Sequence, residues 1–64
     1  MSPLLKALIQ KRLGDIEVAK ANIQVYAEHP AGIGEHPDLV EAIETQVSRI
    51  AEAEDKIQAI NKYF

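Results

Sequence analysis

The sequence contains no cysteine and no tryptophan, and only three prolines and three glycines occur among its 64 residues. Without cysteine, the chain forms no disulfide bond and no thiolate zinc site. Chains this short rarely bury enough apolar surface to be stable alone, and the usual remedies are disulfides, a bound metal or association with another chain. Self-association is therefore the remedy that the composition favours.

Basic residues are also scarce, because seven lysines and arginines stand against ten acidic residues, for a net charge of −3. A nucleic-acid-binding protein normally presents a basic face, so this balance argues against that class. The first residues lack a basic segment ahead of an apolar run, and no long apolar run occurs further along. We therefore expect neither a signal peptide nor a membrane-spanning segment.

The few prolines divide the sequence into two long segments. Ser2 followed by Pro3 is typical of a helix N-cap and first helical position. Helical geometry is disfavoured before Pro30, which should end the first helix, and Pro37 suits the first turn of the next. The sequence thus predicts one all-α domain with a helix over residues 3–28, a loop over residues 29–36 and a helix over residues 37–62.

Both segments carry a heptad seam, which is typical of packed helices. The seams are Leu5, Ile9, Arg12, Ile16, Ala19, Ile23 and Tyr26 in helix 1, and Val40, Ile43, Val47, Ile50, Glu54, Ile57 and Asn61 in helix 2. In an antiparallel hairpin that pairs Ile16 with Ile50, Arg12 faces Glu54. We predict an ion pair between Arg12 and Glu54 at least partly inside the bundle. The alternative is that both side chains extend to solvent at the seam edge.

Helix 1 carries a second stripe at heptad spacing, which we call the outer stripe: Leu4, Ala7, Lys11, Gly14, Val18, Ala21 and Val25. A two-helix hairpin has one internal seam, so this stripe needs another partner. The simplest partner is a second copy, giving a homodimeric four-helix bundle. The predicted interface residues are Leu4, Ala7, Gly14, Val18, Ala21 and Val25. The alternative is that these residues reflect helix propensity and the stripe stays in water.

The tripeptide Glu-His-Pro occurs twice, at residues 28–30 and 35–37. Imidazole and carboxylate groups are common ligands of divalent metals, so the candidates for a metal site are Glu28, His29, Glu35 and His36. The repeats also mark the two helix boundaries, and we favour this structural interpretation. We predict no cofactor. No other grouping of nucleophile, acid and base is apparent, and a two-helix hairpin encloses little volume for a substrate. We therefore expect that the protein is not an enzyme.

The stretch from Tyr26 to Asp38, together with residues 50–56, resembles small uncharacterised proteins encoded by marine T4-like cyanophages. The specific part is Gly32-Ile33-Gly34-Glu35-His36-Pro37-Asp38. The resemblance implies a phage origin and a location in the host bacterial cytoplasm or the virion. It implies no activity, cofactor or site.

Three functional hypotheses follow. The first is a structural or protein-interaction module, a helical-hairpin oligomer that docks onto a larger phage or host assembly. The second is a regulatory binder of a host protein that acts through the apolar face of helix 1. The third is a metal-binding module built on the loop. The state of the outer stripe separates the first two, because a stable dimer hides it whereas a waiting binder exposes it.

Overall fold

The computed structural model describes residues 1–28 and 38–64. Helix α1 spans Pro3–Glu28 and helix α2 spans Leu39–Tyr63. The helices pack side by side, and the molecule measures 45 × 15 × 13 Å. They run antiparallel, because Asn22 in the later part of α1 contacts Gln46 in the earlier part of α2, whereas Arg12 in the earlier part of α1 lines a groove with Ala53 in the later part of α2. The predicted all-α two-helix hairpin is confirmed, and the predicted loop over residues 29–36 lies outside the described residues.

The residue before each helix accepts hydrogen bonds from the first backbone N–H groups of that helix, through both its side chain and its carbonyl oxygen. The Leu5 backbone N–H donates to Ser2 Oγ at 3.1 Å, and the Lys6 N–H donates to the Ser2 carbonyl at 3.0 Å. This confirms Ser2 as the N-cap of α1. At α2, the Glu41 N–H donates to Asp38 Oδ1 at 2.8 Å. Asp38 is therefore the N-cap of α2. The helix begins at Leu39, two residues after the predicted start at residue 37.

The seam of α1 matches the sequence pattern, since every one of its predicted members is buried or half-buried. The seam of α2 differs from the prediction at four of its seven positions. The residues that face α1 are Leu39, Ile43, Gln46, Ile50, Ala53, Ile57 and Ile60. The predicted seam residues that are exposed instead are Val40, Val47, Glu54 and Asn61. Helix α2 is thus rotated about its axis relative to the prediction. At each of the four differing positions, the residue one place earlier in the sequence faces α1.

The rotation of α2 is favourable because it moves the polar side chains of Glu54 and Asn61 out of the seam and into solvent. It replaces Glu54 in the seam with Ala53, and burying a carboxylate costs several kcal/mol unless it is well paired. It also replaces Asn61 with Ile60, which is 6 % exposed. The rotation leaves Val40 80 % exposed, which costs less than burying a charge.

The interior of the hairpin is small. The buried apolar residues in the described part of the chain are Ala19, Ala53 and Ile60, and no large side chain there is fully buried. The accessible surface is 4870 Å², whereas a compact monomer of this mass exposes about 4,100 Å². The elongated hairpin therefore exposes about 800 Å² more surface than a compact monomer of its mass.

Candidate interaction surface and polar groove

Most of the outer stripe lies on the side of α1 that faces away from α2, and Val18 also borders a groove between the two helices. At 3.6 residues per turn its centre is about 140° around the helix from the seam. Leu4 is 84 % exposed, Val18 61 % and Val25 50 %, and the small members Ala7, Gly14 and Ala21 are exposed as well. The structure thus brings the predicted interface residues together on one uncovered face of α1.

Gly14 lies in the middle of this face, at the centre of α1. A methyl group added at its Cα would meet no other atom within 4 Å. Glycine in a helix interior costs about 1 kcal/mol relative to alanine. The packing of the hairpin therefore gives no reason for glycine at this position.

Further aliphatic side chains are exposed beside the outer stripe and on α2. Leu8 and Leu13 on α1 are 36 % and 42 % exposed, and Val47 on α2 is 50 % exposed. Neither described helix has an apolar stretch long enough to cross a lipid bilayer.

A polar groove of about 310 Å³ opens between the two helices near their middle. Its lining residues are Arg12, Asp15, Val18, Ala19, Gln46, Arg49, Glu52 and Ala53. Both helices contribute charged groups to it, and its two arginines are matched by two carboxylates. The groove therefore has no excess of either charge among its lining residues.

The predicted ion pair between Arg12 and Glu54 is wrong for the hairpin. Arg12 Nη1 donates to Asp15 Oδ2 at 3.0 Å, on the same helix, and Lys11 Nζ lies 3.6 Å from the same oxygen. Glu54 is exposed, because the rotation of α2 puts Ala53 in the seam. Arg12 Nε is buried and has no hydrogen-bond partner. The guanidinium is thus only partly satisfied in its half-buried position.

Gln46 is the one buried polar side chain of the described residues, with 6 % exposure. Its Oε1 accepts a hydrogen bond from Asn22 Nδ2 at 3.2 Å and another from Arg49 Nη1 at 3.3 Å. The bond from Asn22 joins the two helices, so it favours this register. Heptad spacing did not predict this pair, because Asn22 and Gln46 both lie outside the predicted seams.

Glu52 lies at the edge of the groove on α2. Lys56 Nζ donates to Glu52 Oε1 at 2.9 Å. This hydrogen bond, and then the charge of Lys56, lower the pKa of the Glu52 carboxyl below its ordinary value, and the charge of Arg12 on the facing helix acts in the same direction. Glu52 is therefore ionised at neutral pH and acts as a surface charge near the groove.

The candidate metal ligands cannot be assembled from the described residues. Glu28 is exposed at the last residue of α1, whereas His29, Glu35 and His36 lie outside the described part of the chain. Within residues 1–28 and 38–64, no group of three or more potential ligands comes together. The loop hypothesis therefore remains a prediction from the sequence.

Comparisons with known proteins leave the chain without a relative to define its family. No protein-family model matches it, and no curated protein and no solved structure is significantly similar to it. What the structure defines is a class, the all-α two-helix hairpin. The function has to be argued from the exposed surface of that hairpin.

Proposed function

We propose that this protein is a non-enzymatic protein-interaction module that self-associates by burying the outer stripe of α1 between two copies. The observation that carries the proposal is the contrast between a small interior and a regular, uncovered apolar face. Monomeric proteins rarely leave large contiguous apolar patches in water, and such patches mark interaction sites. A dimer of hairpins would give a four-helix assembly.

The accessible surface area is compatible with this proposal. The 4870 Å² of accessible surface exceeds the value for a compact monomer of this size by about 800 Å². Each partner in a protein–protein interface of standard size also buries about 800 Å². Pairing would therefore remove about as much surface from water as the hairpin exposes in excess.

The biological role that we propose is attachment to a larger phage or host assembly as a small structural oligomer. The phage origin rests on the resemblance of residues 26–38 to cyanophage proteins, and with it the host cytoplasm or the virion as the location. The exposed Val40 and Val47 on α2 provide apolar surface that a dimer formed through α1 would leave available to a larger partner.

A second candidate function uses the same face of α1 in a different way. If the hairpin stays monomeric, the outer stripe would instead bind another protein, such as a host regulator. A metal-binding role of the loop is the third candidate, and calorimetric titration with zinc or nickel would test it. The oligomeric state decides between the first two.

The test of self-association is sedimentation velocity on the intact chain over a range of concentrations. We expect a dimer for the unmodified protein. Val18→Glu places a carboxylate in the face that the proposed dimer buries. This should raise the dimer dissociation constant by about 100-fold, corresponding to about 2.7 kcal/mol. Gln58→Glu is the matched control, because it adds the same charge at an exposed position of α2 and should leave the dimer intact.

A monomer at the highest concentrations of the unmodified protein would contradict the proposal and favour the regulatory binder. A dimer that tolerates Val18→Glu as well as Gln58→Glu would show that another face forms the interface. Circular dichroism of both variants should show unchanged helicity, because both positions are exposed in the hairpin.

A further inference from the structure

The polar groove brings together two guanidinium groups that come from different helices. Arg12 on α1 and Arg49 on α2 both line the groove, whose volume is about 310 Å³. Ligand sites in proteins occupy about 300–1,000 Å³, so the groove has room for a small molecule. Part of the same lining is apolar and consists of Val18, Ala19 and Ala53.

Each carboxylate of the groove has a lysine of its own helix as a partner. Lys11 Nζ lies 3.6 Å from Asp15 Oδ2, and Lys56 Nζ donates to Glu52 Oε1 at 2.9 Å. Neither lysine belongs to the lining. When these two lysines are counted with the two arginines and the two carboxylates of the lining, the positive charges exceed the negative charges by two.

Arg49 bonds an amide where the other groove cation bonds a carboxylate. Its Nη1 donates to Gln46 Oε1 at 3.3 Å, and within residues 1–28 and 38–64 it forms no ion pair. Asn22 donates to the same oxygen of Gln46. The charge of Arg49 is therefore not neutralised by a neighbouring carboxylate of these two segments.

Arg12 also has hydrogen-bonding capacity that its partner does not use. Nη1 donates to Asp15 Oδ2 at 3.0 Å, whereas Nε is buried and has no partner. A bidentate pair would engage two nitrogens of the guanidinium. Buried polar atoms are normally satisfied, and an exception is often explained by a bound water or ion.

We propose that the groove binds a small organic phosphate monoester, with its phosphate group between the guanidinium groups of Arg12 and Arg49. Such a phosphate carries a charge of about −1.5 to −2 at pH 7, which matches the local positive excess. Arginine suits phosphate because its planar fork donates two parallel hydrogen bonds. The organic part of the ligand contacts the apolar lining. The site belongs to a single hairpin, so it does not depend on self-association.

The charge of the whole chain favours a small ligand over a nucleic acid. The net charge is −3, and a polyanion would lie along the acidic surface as well as the groove. A single phosphate group senses mainly the charges within the Debye length, which is about 8 Å at physiological ionic strength. The local excess of positive charge therefore decides its binding.

Nitrogen–proton correlation NMR tests the site by titration with inorganic phosphate and with phenyl phosphate at constant ionic strength. We expect saturable shifts of the Arg12 and Arg49 side-chain N–H signals with both probes. Phenyl phosphate should bind more tightly, because its ring contacts the apolar lining. Acetate, a monoanion, should bind about tenfold more weakly than phosphate.

Three results of this titration would contradict the proposal. Shifts that never saturate and that spread over the surface lysines would show ionic screening without a site. Acetate that binds as tightly as phosphate would overturn the choice of a phosphate ligand. Equal affinities for phosphate and phenyl phosphate would overturn the contact between the organic part and the groove.

Substitution of Arg49 tests which residues hold the phosphate. Arg49→Gln should raise the dissociation constant for phenyl phosphate by about tenfold. Arg49→Lys keeps the charge but not the planar fork, so it should give an intermediate value. Lys20→Gln removes a cation that is not part of the lining and should leave the constant unchanged. Equal binding by Arg49→Gln and the unmodified protein would place the phosphate elsewhere.

Glu52→Gln changes the groove in the opposite direction. It removes a carboxylate that repels the phosphate and releases Lys56 from its ion pair, so binding should become several-fold tighter. Glu52 is exposed, and circular dichroism should show unchanged helicity. Glu41→Gln, at an exposed position outside the lining, is the matched control and should have no effect. Weaker binding by Glu52→Gln would contradict an anionic ligand.

Discussion

At the scale of single residues, Arg12 is the least satisfied side chain of the described structure. Its side chain is 24 % exposed and donates a hydrogen bond to Asp15, yet its Nε is buried without a partner. An unsatisfied buried donor costs about 1–3 kcal/mol, and hydrogen bonds to charged groups are most sensitive to such loss. Arg12 therefore adds little net stability despite its ion pair.

We predict that Arg12→Met raises the free energy of unfolding by about 1 kcal/mol, because the aliphatic packing is kept while the unpaired donor is removed. Asp15 keeps Lys11 as a partner. Urea denaturation, at a concentration where the chain is monomeric, measures the change. Lys20→Met, which removes an exposed cation paired with Glu17, is the control and should change stability by less than about 0.5 kcal/mol. A clear loss of stability in Arg12→Met would show that the ion pair outweighs the buried donor.

At the scale of the helices, capping defines where each one begins. Asp38 accepts the Glu41 N–H at 2.8 Å, and its charge lies near the positive end of the α2 dipole. The adjoining residues have few buried contacts, since Leu39 is only half-buried and Val40 is exposed. The Asp38 cap is thus a main contributor to the stability of the first turn of α2.

Asp38→Ala should lower the free energy of unfolding by about 1 kcal/mol, since it removes the side-chain acceptor of the cap. Asp38→Asn retains an acceptor at the same place and should lose much less. Thermal unfolding followed by circular dichroism compares the three proteins. Equal stabilities for alanine and asparagine at this position would indicate that the cap contributes nothing.

Four of the seven seam positions of α2 could not be predicted from the sequence. Ile43, Ile50 and Ile57 belong to both possible seams, so periodicity alone leaves two choices for the alternate positions. One choice includes Gln46, and the other includes Glu54 opposite Arg12. Pairing Arg12 with Glu54 was wrong because Arg12 already finds a carboxylate three residues along its own helix.

The same comparison explains what was predictable in the candidate site. The outer stripe follows from spacing within one helix, which does not depend on how α2 is turned, and all of its predicted interface residues are exposed. The polar groove and the Asn22–Gln46 bond depend on the register between the helices. They became visible only once that register was known.

At the scale of the whole molecule, the described part of the hairpin combines a small interior with many exposed aliphatic side chains. Domains of this size have small stabilities even when compact. Here, the described residues that are buried are Ala19, Gln46, Ala53 and Ile60, and three of these have small or polar side chains. Folding and association should therefore be coupled.

The midpoint of thermal unfolding should consequently depend on protein concentration. Binding of a second copy to the folded chain stabilises the folded state by mass action. A 100-fold increase in protein concentration should therefore raise the unfolding midpoint by about 5 °C or more. Circular dichroism in cells of different path length measures the shift. Val18→Glu should show no concentration dependence, and a constant midpoint for the unmodified protein would argue against coupled association.

The rotation of α2 also has an electrostatic consequence. It turns Val40 to the solvent at 80 % exposure, among the carboxylates of Asp38, Glu41 and Glu44. Two copies approaching through this part of α2 would bring like charges together, and that repulsion weakens as salt screens it. The outer stripe of α1 contains a single charged residue, Lys11, and meets no such barrier. We therefore expect like-charge repulsion to disfavour contact between copies through Val40, whereas no such repulsion opposes contact through the outer stripe.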